Sequence, residues 1–355
     1  IITEKSGKLY TFNLKNKKPY TKTQLELLDL TPEDGNILFN ETWIDRHYVY
    51  DQFTEYKEAE QLNKKFVNIR NTNGRKIKNY KSCEKNFFFY GSSITFGYNV
   101  TDEQTFSFIF KKILEDNNFK KYCVFNFGRA GYGSTQENIL FIKHLLNKKI
   151  KKDDFIFFLD GNAERGNKKG INTDYLTYAQ NLTSQKYWDR YKRSFMFFWS
   201  NLPINQLISR IKEKYNLTNN RDFFQIKATF DEIIYVYEKN IFLREEICKI
   251  FNINCYSFLH PKSGLHGKYF DNFEVSEVLQ TQIYNFETQK NKEMIEERKI
   301  YFNAMSNIEN VIDISNSFNG ATKISYIDRN HYSPHGHYLL AVHIFNLIKD
   351  DLNKN

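Results

Sequence analysis

Proline and glycine are scarce in this chain, at 5 and 15 of 355 residues. That excludes a collagen-like repeat and a Pro/Gly-rich tether. Cysteine is scarcer still. Cys83, Cys123, Cys248 and Cys255 stand at no CxxC spacing, and four in a chain this long do not make a disulfide framework. Buried free thiols are therefore expected, with Cys248 and Cys255 pairing only if a helix end and the following strand bring them together. No apolar run approaches the roughly 18 residues needed to span a bilayer, the richest being Phe195–Trp199. What is abundant is aromatic: 33 Phe and 24 Tyr, within 41% hydrophobic residues, which is enough to build a core and excludes a disordered chain. The length fits one large domain or two of moderate size.

The charge balance, 51 Lys+Arg against 42 Asp+Glu, invites a nucleic-acid reading that the pattern opposes. Lysines are scattered along the chain, and clusters such as Lys148-Lys149 with Lys151-Lys152 are interleaved with structure. They read as solvated faces, so no nucleic-acid partner is expected, and an acidic polysaccharide is the anionic partner such a balance would favour. The chain opens on Ile1 rather than methionine, which fits a removed signal or anchor. The compartment is left open between cytoplasmic and exported, and so is the oligomeric state.

Residues 1–80 read as an N-terminal appendage, irregular with short strands at Arg46–Phe53 and Lys65–Arg70 and a turn at Asn73-Gly74. Residues 81–355 form the main domain. Phe87–Tyr90 is a wholly apolar run ending in Gly-Ser-Ser, the profile of a strand buried on both faces. Thr101 and Gln104 make a capping box, and Phe106, Ile109, Phe110, Ile113 and Leu114 follow at helical spacing. Strands are expected at Tyr122–Phe127, Asp154–Leu159, Asn254–Leu259 and Asn310–Ile314. Helices are expected at Gln136–Leu146, at Lys227–Phe251 and after Pro334, with Ser333 as N-cap. Insertions fall at about 163–225 and 262–305, the second helical. Strands alternating with helices predict a five-stranded parallel sheet in a three-layer α/β/α sandwich.

Ligands of parallel sheets bind beyond the carboxyl ends of the strands. Four such ends carry unusual polar residues: Gly91–Gly97, Asn126–Gly131, Asp160-Gly161-Asn162 and Asp328–His331. Together they compose a serine hydrolase site. A serine hydroxyl needs a base to take its proton, and histidine titrates in the right range. The imidazole needs a carboxylate to fix its tautomer, and Asp328 and His331, three apart, can share one loop. The Ser93 and Gly131 backbone N–H groups and the Asn162 side-chain amide would suffice as oxyanion donors.

These blocks resemble the SGNH (GDSL-type) hydrolases. Gly91-Ser92-Ser93-Ile94-Thr95-Phe96-Gly97 is similar to their first block, which makes Ser93 the nucleophile, with Ser92 in place of the usual aspartate. Asn126 and Gly131 match the second block's spacing. Gly161-Asn162 lacks the intervening residue of the third, so only Asn162 carries over. Asp328 and His331 match the last block, with Gly336 and Ala341 as its continuation. The resemblance spans about residues 84–162 and 227–350. It implies esters as substrates, an acyl-serine intermediate, and neither cofactor nor metal.

Other residues stay open between two readings. Arg165 would meet an anionic substrate group or sit exposed in a turn; His260 would line the cleft or simply end its strand. Trp188 lies in the aromatic, basic stretch Tyr187–Trp199, which would pack an insertion, wall a sugar-binding cleft or touch a membrane. His331, His335 and His337 do not make a metal site, because Pro334 starts a helix among them and His335 and His337 read as surface residues. The function expected is removal of a short acyl group from a carbohydrate or another small acyl ester. The alternatives are an O-acetyltransferase using the same residues and an inactive glycan-binding module.

Overall fold

The computed structural model describes residues 19–119, 121–161, 229–263, 289–328 and 330–354. The chain divides into two compact units, residues 1–166 with 234–355, and residues 167–233. The first carries the sheet and includes the N-terminal region.

That region is more regular than its sequence suggests. Helix α1 (Lys22–Leu28) starts at a capping box in which Thr21 and Gln24 exchange bonds. Helix α2 (Pro32–Phe39) has Thr31 as N-cap and proline in its first turn, and runs on into a wide turn at Asn40–Ile44. Both helices correct the expectation of an irregular segment; they are too short to show a full apolar stripe, so periodicity does not reveal them. Strands β1 (Tyr48–Asp51) and β2 (Glu55–Glu58) form a separate antiparallel pair. Strands β3 (Ile69–Arg70) and β4 (Gly74–Arg75) form a second hairpin on the edge of the main sheet. Leu28, Leu38, Tyr48, Val67 and Ile69 share one buried cluster with Phe96, Tyr98 and Ile327, so this region is knitted to both ends of the later chain.

The central strands are β5 (Lys85–Gly91), β6 (Tyr122–Asn126), β7 (Phe155–Asp160), β8 (Asn254–Leu259) and β9 (Val311–Asp313). They pair in parallel in the order β6-β5-β7-β8-β9, with β4 alongside β6, giving a seven-stranded sheet. The helices on it are the single turn α3 (Ser93–Phe96), α4 (Phe106–Asp116), α5 (Ser134–Leu146), α6 (Phe230–Phe251), α7 (Gln289–Ser306) and α8 (Pro334–Lys354). The capping box at Thr101 and Gln104 closes a short 3₁₀ turn instead, and Thr105 caps α4.

Alternate residues of a strand face opposite sides of its sheet. Phe87, Phe89, Phe155 and Phe157 enter a core with Phe106, Phe110 and Leu114 of α4 and Leu340 and Ile344 of α8. Phe88, Tyr90, Ile156 and Phe158 face the other way, onto Leu140 and Phe141 of α5 and Cys248 of α6. Both faces are thus covered, as a three-layer α/β/α sandwich requires. Rings stack across neighbouring strands as well, Phe87 on Phe155 and Phe89 on Phe157, each at 4.8 Å.

The cysteines correct the expectation of free thiols. The structure pairs Cys83 with Cys123 and Cys248 with Cys255. Cys83 precedes β5 and Cys123 lies on the adjacent β6, while the end of α6 turns directly into β8. Of the expected insertions, 163–225 lies outside the described residues. In 262–305 the described part includes α7. Among the described residues no helix is long and apolar enough to cross a membrane.

Candidate active site

The site begins where β5 ends. Ser92 is extended, Ser93 opens the one-turn helix α3, and Gly97 closes it at φ 82°, a left-handed conformation that glycine adopts without strain. This turn is held from two sides. The buried Arg75 guanidinium donates to Phe96 O at 3.0 Å, Val100 O at 2.6 Å and Gly97 O, and pairs with Asp102 at 3.0 Å. Asn126, at the end of β6, donates to Thr95 O at 2.7 Å and accepts from Gly128 N–H at 3.0 Å. A side chain on Gly128 would drive into Phe96 N and come within 2.5 Å of Thr95 C, so only glycine lets the second block approach the first.

The fourth block comes from the loop before α8, where Ile327 N–H donates to His331 O at 2.9 Å. His331 Nε2 lies 3.0 Å from Ser93 Oγ, and Nδ1 lies 2.7 Å from Asp328 Oδ2. Residues 238 apart in sequence therefore share one hydrogen bond. Asp328 and His331 are buried while Ser93 is half-buried, so the chain of bonds opens outward only at the hydroxyl. Burial alone would raise the Asp328 carboxyl. The His331 charge, its ring N–H and the N–H groups of Asn330 and His331 outweigh burial and hold that carboxyl well below the usual carboxylate range. An alcohol facing an imidazole that is oriented by an ionised carboxylate is equipped for nucleophilic attack on an acyl carbon.

Sequence reasoning missed the residues behind this chain of bonds. Asn99 donates to Asp328 Oδ2 at 2.7 Å. Its own carbonyl accepts from Trp43 Nε1 at 2.7 Å and Tyr20 Oη at 3.1 Å. It does so at φ 65°, a left-handed conformation that asparagine tolerates better than most residues. The Tyr98 ring stacks on the His331 imidazole at 5.2 Å and 12°, and the Arg46 guanidinium lies 4.1 Å over the ring of Tyr98. The available signals were slight: one of three tryptophans in the region taken as an appendage, and an Asn two residues beyond the Gly97 turn.

The remaining expected residues fall in different places. Gly131 sits at φ 73°, exposed, and its N–H makes no hydrogen bond among the described residues. Asn162, Arg165, Trp188 and the stretch Tyr187–Trp199 lie outside the described residues. His260 is fully buried at the end of β8, bonded through Nδ1 to Pro261 O at 2.8 Å and Tyr332 Oη at 3.0 Å, which fits the reading in which it ends its strand. Burial lowers its pKa to about 4. The surface reading of His337 is corrected. It is buried rather than on the surface, accepts from Phe106 N–H at 3.3 Å, and is held down to about 3 by burial. Asp160, polar at the end of β7, is taken up by Arg244, whose Nη1 and Nη2 reach its carboxylate at 2.5 and 3.1 Å. Among the described residues no group of three or more His, Cys, Asp or Glu converges as a metal site would need.

No protein-family model matches the chain, and no curated protein matches it. Solved structures do. LAE5, described as an alpha/beta hydrolase enzyme from the metagenome of Lake Arreo, is 11% identical with a TM-score of 0.40, over 76% of this chain and 97% of that one. A catalytic mutant of Axe2, an acetylxylan esterase from Geobacillus stearothermophilus, is 13% identical with a TM-score of 0.38, over 75% and 94%. A lipolytic protein of the G-D-S-L family from Veillonella parvula is 15% identical with a TM-score of 0.36, over 75% and 98%. The parallel sheet and the helices on its two faces make the chain an α/β protein, and these solved proteins are what it is similar to.

Proposed function

We propose that this protein is a serine ester hydrolase working through an acyl-Ser93 intermediate. The observation that carries the reading is the continuous chain Ser93 Oγ, His331 Nε2, His331 Nδ1, Asp328 Oδ2, with links of 3.0 and 2.7 Å. In this reading Ser93 Oγ bonds to the acyl carbon as its proton passes to His331 Nε2. The carbonyl oxygen becomes an oxyanion facing the Ser93 and Gly131 N–H groups, with the Asn162 amide as a third donor. His331 then protonates the leaving alcohol as the ester bond breaks. Water attacks the acyl-serine, gives its proton to His331, and the free acid departs as Ser93 recovers its proton. None of these steps calls for a cofactor.

The substrate class we favour is a short O-acyl carbohydrate, on the strength of the aromatic sequence Tyr187–Trp199, whose residue types suit sugar faces. With a sugar hydroxyl replacing water in the second half, the same steps describe an O-acetyltransferase.

The test is a chromogenic acetyl ester assay with Ser93→Ala as control, followed by a serine-directed phosphonate and mass spectrometry. Hydrolysis that vanishes in the control and an adduct on Ser93 are expected. Equal rates for the two proteins would favour a glycan-binding module, and an adduct on another residue would overturn the assignment. Adding a glycan acceptor and identifying the product separates transfer from hydrolysis.

A further inference from the structure

We infer that Tyr56, from the β1–β2 hairpin of the N-terminal region, is a positioning residue that fixes the Gly131 oxyanion donor. The inference rests on the proposed ester chemistry and goes beyond it.

A peptide unit is planar and trans, so the carbonyl of one residue and the N–H of the next point in opposite directions. Gly131 N–H is therefore aimed by whatever holds the carbonyl of Ala130. That carbonyl accepts a hydrogen bond from the Tyr56 hydroxyl at 2.6 Å. The preceding amide is held from the same hairpin, because Ala130 N–H donates to the buried Glu58 carboxylate at 3.1 Å. Both polar groups of Ala130 are thus tied to β2, and Gly131 N–H is left pointing away from the hairpin with no partner among the described residues.

Glycine is where such a plate would turn over. Gly131 sits at φ 73° and lacks the side chain that would resist rotation, so the peptide before it needs an outside restraint. Flipped, it would turn the Ala130 carbonyl toward the oxyanion and its N–H toward Tyr56, replacing an attraction with a repulsion. The restraint is itself well seated. The Tyr56 ring packs edge-on against Tyr48 at 5.6 Å and Tyr132 at 5.4 Å, and the Tyr132 hydroxyl donates to the Tyr56 backbone carbonyl. A Cβ built on Gly131 would lie 2.9 Å from the Tyr56 hydroxyl, so the two residues are in direct apposition.

Tyr56→Phe keeps the ring and its edge-on contacts and removes only the hydroxyl. Outright loss of an oxyanion donor costs about 10²–10³ in rate, and a peptide that flips part of the time should cost less, about 10–10² in kcat. The experiment measures kcat and KM for a chromogenic acetyl ester, inhibition by a boronic acid, and the melting temperature, in wild type, Tyr56→Phe and Glu58→Gln. The boronic acid forms a tetrahedral adduct on Ser93 and so reports the oxyanion site directly. Expected for Tyr56→Phe are a kcat lower by about 10–10², an unchanged KM and a boronic acid Ki raised in proportion to the lost kcat. Glu58→Gln keeps an acceptor for Ala130 N–H and should stay within a few-fold of wild type. A Tyr56→Phe kcat within two-fold of wild type overturns the inference while leaving the ester chemistry standing. Parallel losses in kcat, KM and melting temperature overturn it too, since they mark a purely structural tyrosine. A wild type that neither turns over nor binds the boronic acid at Ser93 removes the proposed function, and the inference with it.

Discussion

Asn99 offers the sharpest test of how the candidate site is held. Its amide is the only side chain other than His331 that bonds Asp328 among the described residues, at 2.7 Å, and it lies in the buried interior. A hydrogen bond to a charged group contributes about 1.5–3 kcal/mol. If that energy keeps the carboxylate aligned on His331, losing it lowers kcat/KM by about 10–10². Asn99→Gly is the cleanest deletion, because glycine accepts φ 65° without strain. Asn99→Asp asks a different question. It keeps an acceptor for Trp43 and Tyr20 but turns the donor into a second carboxylate oxygen 2.7 Å from Asp328. At an effective dielectric of about 20, two unit charges at that distance repel by about 6 kcal/mol, so the pair should hold one shared proton near neutrality. Tyr20 does not compete for this role, since burial pushes its hydroxyl well above the ordinary range and it stays protonated. The assay is the pH dependence of kcat/KM on an acetyl ester between about pH 6 and 9. Asn99→Gly should lose activity evenly across that range. Asn99→Asp should stay close to wild type at the acid end and fall away as the shared proton leaves. If Asn99→Gly keeps wild-type activity, the carboxylate is aligned without this amide and the reasoning fails.

Three further outcomes are expected. Gly128→Ala should destabilise by about 1–3 kcal/mol or more and disturb the Ser93 turn, since its Cβ meets backbone at Phe96 and Thr95, whereas Gly35→Ala meets mainly the movable end of Leu25; comparing the two melting temperatures checks this. Arg244→Met strands the buried carboxylates of Asp160 and Glu137 and should cost about 3–5 kcal/mol by urea unfolding, much of it regained when Asp160→Asn and Glu137→Gln are added. Acid should weaken the fold through its buried histidines. Burial holds His260 down to about 4 and His144 and His337 to about 3, while unfolded histidines take protons near 6.5. Between those values the unfolded chain binds more protons, so the stabilisation is complete above about pH 6.5 and drains as pH falls. For His260 alone the gap from 6.5 to about 4 is worth about 3 kcal/mol. Urea midpoints that stay flat from pH 7 to 4.5 would contradict this, and His260→Gln should remove its share of the slope.

The sheet was legible because its cause is local. A run such as Phe87–Tyr90 can bury both faces of a strand only between two layers of helices, and five such strands alternating with helical spacing admit few arrangements. The strand ends followed from the same pattern, whereas Ser93 as candidate nucleophile is what the SGNH resemblance implies, and Asp328 and His331 stand in the loop before α8 and not at a strand end. Short helices without a full apolar stripe leave no such mark, so periodicity does not reveal α1 and α2. The Cys83–Cys123 pair was hidden because it depends on which strands become neighbours, whereas Cys248 and Cys255 needed only the turn from α6 into β8.

Sequence alone therefore determined the layered architecture and which residue types stand at the carboxyl ends of the strands, since both follow from periodicity and turn chemistry within a few residues. Only the tertiary structure decided that Asn99 and Trp43 stand behind Asp328, that Tyr56 rests on the peptide before Gly131, and that His260 and His337 are buried. The Asn99 contacts join it to Trp43, 56 residues away, and to Asp328, 229 residues away, and no local preference records what lies across a fold.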